Sequence, residues 1–223
     1  RRLPFLSALV LSTDVLSGHA HLDVTTRVGM AAEAPWADLV AMDLTLDQAD
    51  LPSAKKIATT WGSEAESQPL RALRLARLAR YEGRLDAADA LSLVALERGT
   101  VTPRVLWERA YVLVARGRAS DVGALLGHYP LVLGPVATWV SAYAAGAAGN
   151  VEAAKGRTAT VDPPVSAAPL GARVVAASAF GAMKEKRRGS DYVKAMLSTG
   201  CVHPDLVAAA AALGLRRSAV GVR

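Results

Sequence analysis

Seven of the chain's eleven prolines keep one beat: Pro4, Pro35, Pro69, Pro103, Pro135, Pro169 and Pro204, at spacings of 31, 34, 34, 32, 34 and 35 residues. A glycine stands fourteen positions after four of them, as Gly18, Gly83, Gly117 and Gly149. Proline suits the first turn of a helix, where its missing N–H would have had no partner and its φ is already helical. Glycine ends a helix by taking the left-handed conformation. The spacing therefore predicts a helix from each proline to each glycine. Between Gly83 and Gly99, Leu85, Ala88, Leu91, Ala95 and Leu96 recur at three- and four-residue steps, which predicts a second helix with a broad apolar face. Each unit is a helical hairpin too small to bury that face alone, so it must stack on the next copy.

The period, the two helices and the glycine-marked turn resemble tetratricopeptide repeats (TPR), whose unit is about 34 residues. In that family a small residue lies about seven before the turn glycine and an alanine about five after it. Here Leu11, Ala76, Ala110 and Ala142 stand seven before, and Asp23, Ala88, Val122 and Ala154 five after. In the second unit Ala49 takes the glycine's place, flanked by Met42 and Ala54. The proline opens the first helix here, whereas the family usually carries it just after the second. The resemblance implies an all-α fold, a right-handed superhelix (solenoid) of about six TPR-like hairpins. The units are residues 4–34, 35–68, 69–102, 103–134, 135–168 and 169–203, with a capping helix over 204–215 and a frayed tail from Arg216. In the sixth unit Met183 falls where the glycine is due and KEKRRGSD follows, which predicts a longer inter-helix turn. Gly62 to Gln68 reads as a polar connector, and the second helix of the fifth unit should end near Thr160.

Composition agrees with a packed helical array. Hydrophobic residues make up 52% and aromatics only 5%, so helices must approach on small side chains rather than around a large aromatic core. One cysteine, Cys201, excludes an internal disulfide framework. No apolar run is long enough for a membrane-spanning helix. Arg1-Arg2 before LPFLSALVL has the form of a secretion-signal start, but Pro4 and Gly18 put the same stretch on the beat as a first helix. The sequence opens without methionine, as a processed chain or a segment of a larger protein would. Alanine-rich composition suggests a bacterium, with the cytoplasm ahead of the periplasm as compartment.

No catalytic constellation stands out. His19/His21 and Cys201/His203 are pairs where zinc needs three or four ligands, and they read as turn residues. His128 has no nucleophile or carboxylate at a suggestive spacing, and no glycine-rich phosphate loop is present. No cofactor, metal site or enzymatic activity is expected. Net charge is +6. Arg71, Arg74, Arg77 and Arg80 form a three-residue stripe, and Lys184, Lys186, Arg187 and Arg188 a second cluster. Both read as solvated faces or, failing that, as contacts for nucleic acid.

The feature above background is WERAY and WVSAY: Trp107 and Trp139 lie four after their prolines, Tyr111 and Tyr143 eight after, one helical turn apart on one face. In the resembled family the first helices line a concave groove for an extended peptide or partner helix. By register the groove residues are Leu73, Arg77 and Arg80, then Arg104, Trp107 and Tyr111, then Trp139 and Tyr143. The tryptophans fit either packing between hairpins or the groove; the tyrosines, whose hydroxyls need a partner, fit the groove. The implied partner is a protein offering an acidic or aromatic segment, which makes the chain an interaction module or scaffold. Two other classes remain: a binder of nucleic acid or another anionic polymer, stacking bases on Trp and Tyr, and the regulatory or sensory part of a larger enzyme.

Overall fold

The computed structural model describes residues 37–215. The hairpin expected over 4–34 and the tail from Arg216 lie outside the described residues. Those residues form eleven α-helices and no strand. We number them α1 (Ala37–Asp47), α2 (Leu51–Thr60), α3 (Pro69–Tyr81), α4 (Leu85–Arg98), α5 (Pro103–Ala115), α6 (Asp121–His128), α7 (Val136–Ala147), α8 (Val151–Thr158), α9 (Leu170–Met183), α10 (Lys186–Ser198) and α11 (Pro204–Ala212). A 3-10 turn spans Ser63–Ser67, where a connector was expected; its Ala65 is buried. No helix among them is long and apolar enough to cross a membrane.

Pro69, Pro103 and Pro204 occupy the first turns of α3, α5 and α11, whereas Pro135 and Pro169 sit one residue ahead of α7 and α9. Five helices that lead into a partner helix end on one turn chemistry, which α11 shares at Gly214, where Leu215 donates to Ala210 at 2.9 Å. A residue with positive φ closes the helix: Ala49 at 58°, Gly83 and Gly117 at 74°, Gly149 at 85° and Lys184 at 54°. The next N–H then donates to the carbonyl five positions back: Asp50 to Thr45 at 2.8 Å, Arg84 to Ala79 at 2.9 Å, Arg118 to Leu113 at 2.8 Å, Asn150 to Ala145 at 2.9 Å and Glu185 to Phe180 at 3.1 Å. This is a Schellman closure, which satisfies carbonyls the helix leaves free. The turn after α9 is thus no longer than the others. It is displaced by one residue, Lys184 takes the left-handed position, and the charged stretch begins α10 instead of looping.

The helices on either side of each such turn pack together. The first helices also pack in series, α1 on α3, α3 on α5, α5 on α7, α7 on α9 and α9 on α11. Positions seven before and five after the turn meet in these packings: Met42, Ala76, Ala110 and Ala142, with Ala54, Ala88, Val122 and Ala154, are all buried. Counting from Lys184, the same places hold Ala177 and Gly189. A Cβ at 189 would lie 2.7 Å from the Cβ of Phe180, so α10 approaches α9 on glycine's missing side chain. Gly146 against Ala182 and Gly181 against Ala209 bring α7 and α11 onto α9 in the same way. Close approach multiplies weak dispersion contacts, which is how an alanine-rich chain builds a dense interior.

The main apolar cluster runs from α5 to α11, with Trp139 5.0 Å from Phe180 and Phe180 5.6 Å from Tyr192 by ring centroids. A separate cluster holds α1, α2 and α3 around Met42, Leu46, Ile57 and Leu78. The second helix of the fifth hairpin, α8, ends at Thr158, two residues short of expectation. The Lys184 cluster splits: Arg188 lies 5.5 Å over the ring of Phe180, while Lys186 and Arg187 are exposed.

Candidate functional site

The arginine stripe of α3 is neither solvated nor free. Arg71 pairs with Asp38 at 3.1 Å, Arg74 with Asp43 at 2.6 Å and Arg77 with Asp47 at 2.5 Å, so α1 supplies a carboxylate for each successive arginine. Arg104 of α5 closes the series from the other side with two bonds to Asp43, 2.6 and 2.7 Å. Burial alone would raise the Asp43 carboxyl, but Arg104, Arg74 and Arg77 hold it below its ordinary value.

Arg80, the last of the stripe, is the centre of the arrangement. Its guanidinium donates to Glu108 at 2.8 Å and forks onto Asp205 at 2.7 and 2.9 Å. It also lies 4.5 Å from the ring of Tyr81 and 4.6 Å from that of Tyr111, so two aromatic faces fix the plane in which it can accept a carboxylate. The Tyr81 hydroxyl donates to Asp205 at 3.1 Å. His203 caps α11 by accepting from the Asp205 N–H at 3.2 Å, and its Nε2 lies 2.5 Å from Arg77 Nη2. Burial first, and Arg77 second, push the His203 ring down to about 4, which keeps it neutral. Asp205 moves oppositely to what burial would do: Arg80 holds it well below the usual carboxylate range. Around this point Arg74, Arg77, Arg80 and Arg104 face Asp43, Asp47, Glu108 and Asp205, so the charges balance.

A cleft of about 310 Å³ opens beside the cluster. Its lining is polar at Asp47, Arg77, Glu108, His203 and Asp205 and apolar at Trp107 of α5, Leu133, Val136 and Leu170. Trp107 lies directly on the backbone of Gly171, where a Cβ would fall inside the indole. Glycine at the start of α9 is therefore what lets the indole line the cleft.

The residues expected in the groove divide. Arg77, Arg104, Trp107 and Tyr111 line the cleft, and Arg80 lies at the heart of the polar cluster beside it. Arg104 keeps 29% of its side chain exposed, whereas Arg77 and Arg80 are buried against their partners. Tyr111 is buried with its hydroxyl 2.8 Å from Ser178, and Tyr143 stacks on it at 5.0 Å without lining the cleft. Trp139 is core, and Leu73 is buried with Ala95 and Val105 between α3, α4 and α5. The residues that sequence reading missed are Asp47, Glu108, His203, Asp205 and Gly171. The aspartates of α1, Asp38, Asp43 and Asp47, repeat at helical steps and could have been matched to the arginines. Nothing in linear spacing brings Asp205 to a helix 125 residues away.

The chemistry available is recognition by forked hydrogen bonds and apolar contact. The Cys201 thiol is buried, and burial pushes its pKa up, away from nucleophilic use. No family model, curated protein or solved structure matches this chain.

Proposed function

We propose that the chain is a non-catalytic interaction module: a right-handed superhelix of about six TPR-like hairpins, capped by α11, that holds a segment of a partner protein along the face of its first helices. The observation that carries this reading is the cleft beside α5, where an indole and aliphatic side chains share the lining with a preorganised polar cluster. An aromatic or aliphatic side chain of the partner packs at Trp107. Arg104, at the rim, is bonded to Asp43 but 29% exposed, so a carboxylate of the same segment shares it with that residue. Large, rigid Trp and forked Arg contacts give binding energy at low entropic cost. The alternative of nucleic-acid binding draws less support, because the arginines of α3 that would contact phosphate are engaged by Asp38, Asp43, Asp47, Glu108 and Asp205. Service as the regulatory part of a larger enzyme would use the same cleft.

A photo-crosslinking aromatic residue in place of Trp107, compared with one in place of exposed Glu97 on α4, tests the reading in the source cell. A protein crosslinked at 107 and not at 97, unchanged by nuclease and raised salt, is the expected result. Equal products at both positions, or products that nuclease removes, would refute it.

A further inference from the structure

We propose that the chain closes its own groove: His203 and Asp205, at the start of α11, are an internal ligand for the arginines of α3, and a partner's acidic segment enters by exchanging its carboxylate for that of Asp205. This rests on the interaction-module reading above. Asp205 meets Arg80 through both oxygens, with Tyr81 as a third donor, which is the geometry by which a protein recognises a free carboxylate. The site around it is fixed without Asp205, since Glu108 and the rings of Tyr81 and Tyr111 hold Arg80 in place.

The contact is also separable from the core. α11 is anchored elsewhere, with Leu206, Ala209, Ala210 and Leu213 buried in the cluster that contains α9. α3 belongs to other clusters, with α1 and α2 on one side and α4 and α5 on the other. What joins α3 to α11 is the polar clasp: Arg80 and Tyr81 on Asp205, and Arg77 against His203. None of these clusters holds both α3 and α11, so opening the clasp breaks no apolar contact between them. Exchange of one carboxylate for another leaves Arg80 paired throughout, so it avoids the large penalty of a buried, unmatched charge. Because His203 and Asp205 also line the cleft, a segment whose apolar side chain sits at Trp107 brings a following acid to this point.

Two measurements on the whole chain test the proposal. In a Cys201→Ser background, spin labels at Ala90→Cys on α4 and Ala211→Cys on α11, both exposed positions, report the distance across the clasp. The intact chain should give one narrow distribution. Asp205→Ala, and Asp205→Asn as the variant that keeps shape and loses charge, should broaden it and move it outward while circular dichroism stays helical. The second measurement uses a fluorescent capped peptide with the sequence of residues 202–207, VHPDLV. An internal competitor present in about ten of eleven molecules lowers apparent affinity about tenfold, so the Asp205 variants should bind the peptide about tenfold more tightly than the intact chain. The same peptide with asparagine for its aspartate should not bind. An unchanged distance in both variants would overturn the clasp. A changed distance without peptide binding would overturn the internal-ligand assignment. Crosslinking at position 107 is scored separately, so either failure is distinguishable from failure of the module reading.

Discussion

His203 shows how one side chain carries both local structure and pH response. Its ring faces Arg77 and Asp47 from α3 and α1, Tyr81 edge-on at 6.5 Å, and Asp205 on its own helix, with Arg80 beyond. Burial and Arg77 lower its pKa from the ordinary 6.5 to about 4. The unfolded chain therefore takes up a proton that the folded chain refuses between those values. The stability this group contributes is present above pH 6.5 and is lost as pH falls toward 4, by about 3 kcal/mol. Urea midpoints at pH 7.5, 5.5 and 4.5 should fall across that range, and His203→Gln should flatten the fall; parallel profiles would refute the assignment. A second prediction concerns Gly171, whose absent side chain seats Trp107. Gly171→Ala should displace the indole, cost about 1–3 kcal/mol by overpacking, and shift tryptophan emission to the red. Of this neighbourhood, Arg77, Arg80, Arg104, Trp107 and Tyr111 were legible in the sequence because they share a register. The aspartates of α1 could have been matched to the arginines by their helical steps, but Asp205 was not legible, because α11 reaches α3 by tertiary folding rather than by spacing.

At the scale of the element, the repeated feature is the left-handed turn. Proline and glycine positions announced most of it, since glycine is nearly alone in tolerating the left-handed conformation and proline, lacking an N–H, is confined to a helix's first turn. Two turns use an ordinary residue instead, Ala49 at φ 58° and Lys184 at φ 54°. Ala49 was legible by register, but Lys184 was not, because one extra residue in α9 moves the turn past the expected Met183. A side chain in this region costs about 1–2 kcal/mol, partly offset by glycine's greater freedom when unfolded. Ala49→Gly and Lys184→Gly should each stabilise the chain by about 1 kcal/mol, read as a raised urea midpoint with unchanged slope. Gly83→Ala is the converse. Beyond its own chain neighbours nothing lies within 4 Å of its added Cβ, so its loss of about 1 kcal/mol would report backbone strain alone. If the glycine substitutions destabilise, the turn geometry assigned at 49 and 184 is wrong.

For the molecule as a whole, the row of first helices would ordinarily make stability a sum of neighbour terms, with damage at one end invisible at the other. The clasp changes that expectation, because α3 and α11 are joined by Arg80 and Asp205 although α5, α7 and α9 lie between them in the row. Sequence reading anticipated α11 as a cap on the stack; in the structure α11 packs on α9 and also reaches α3. Leu206 is fully buried on α11, and Leu206→Ala should cost about 2–5 kcal/mol through the cavity it leaves. The informative readout is where the cost appears. Native-state hydrogen exchange should show the amides of α3 losing protection along with those of α9 and α11, because loosening α11 withdraws Asp205 from Arg80. The same substitution made together with Asp205→Asn should confine further loss to α9–α11, since the path to α3 is already cut. Protection of α3 that ignores Leu206→Ala in the otherwise intact chain would show that the helices respond only to their neighbours and that the clasp transmits nothing.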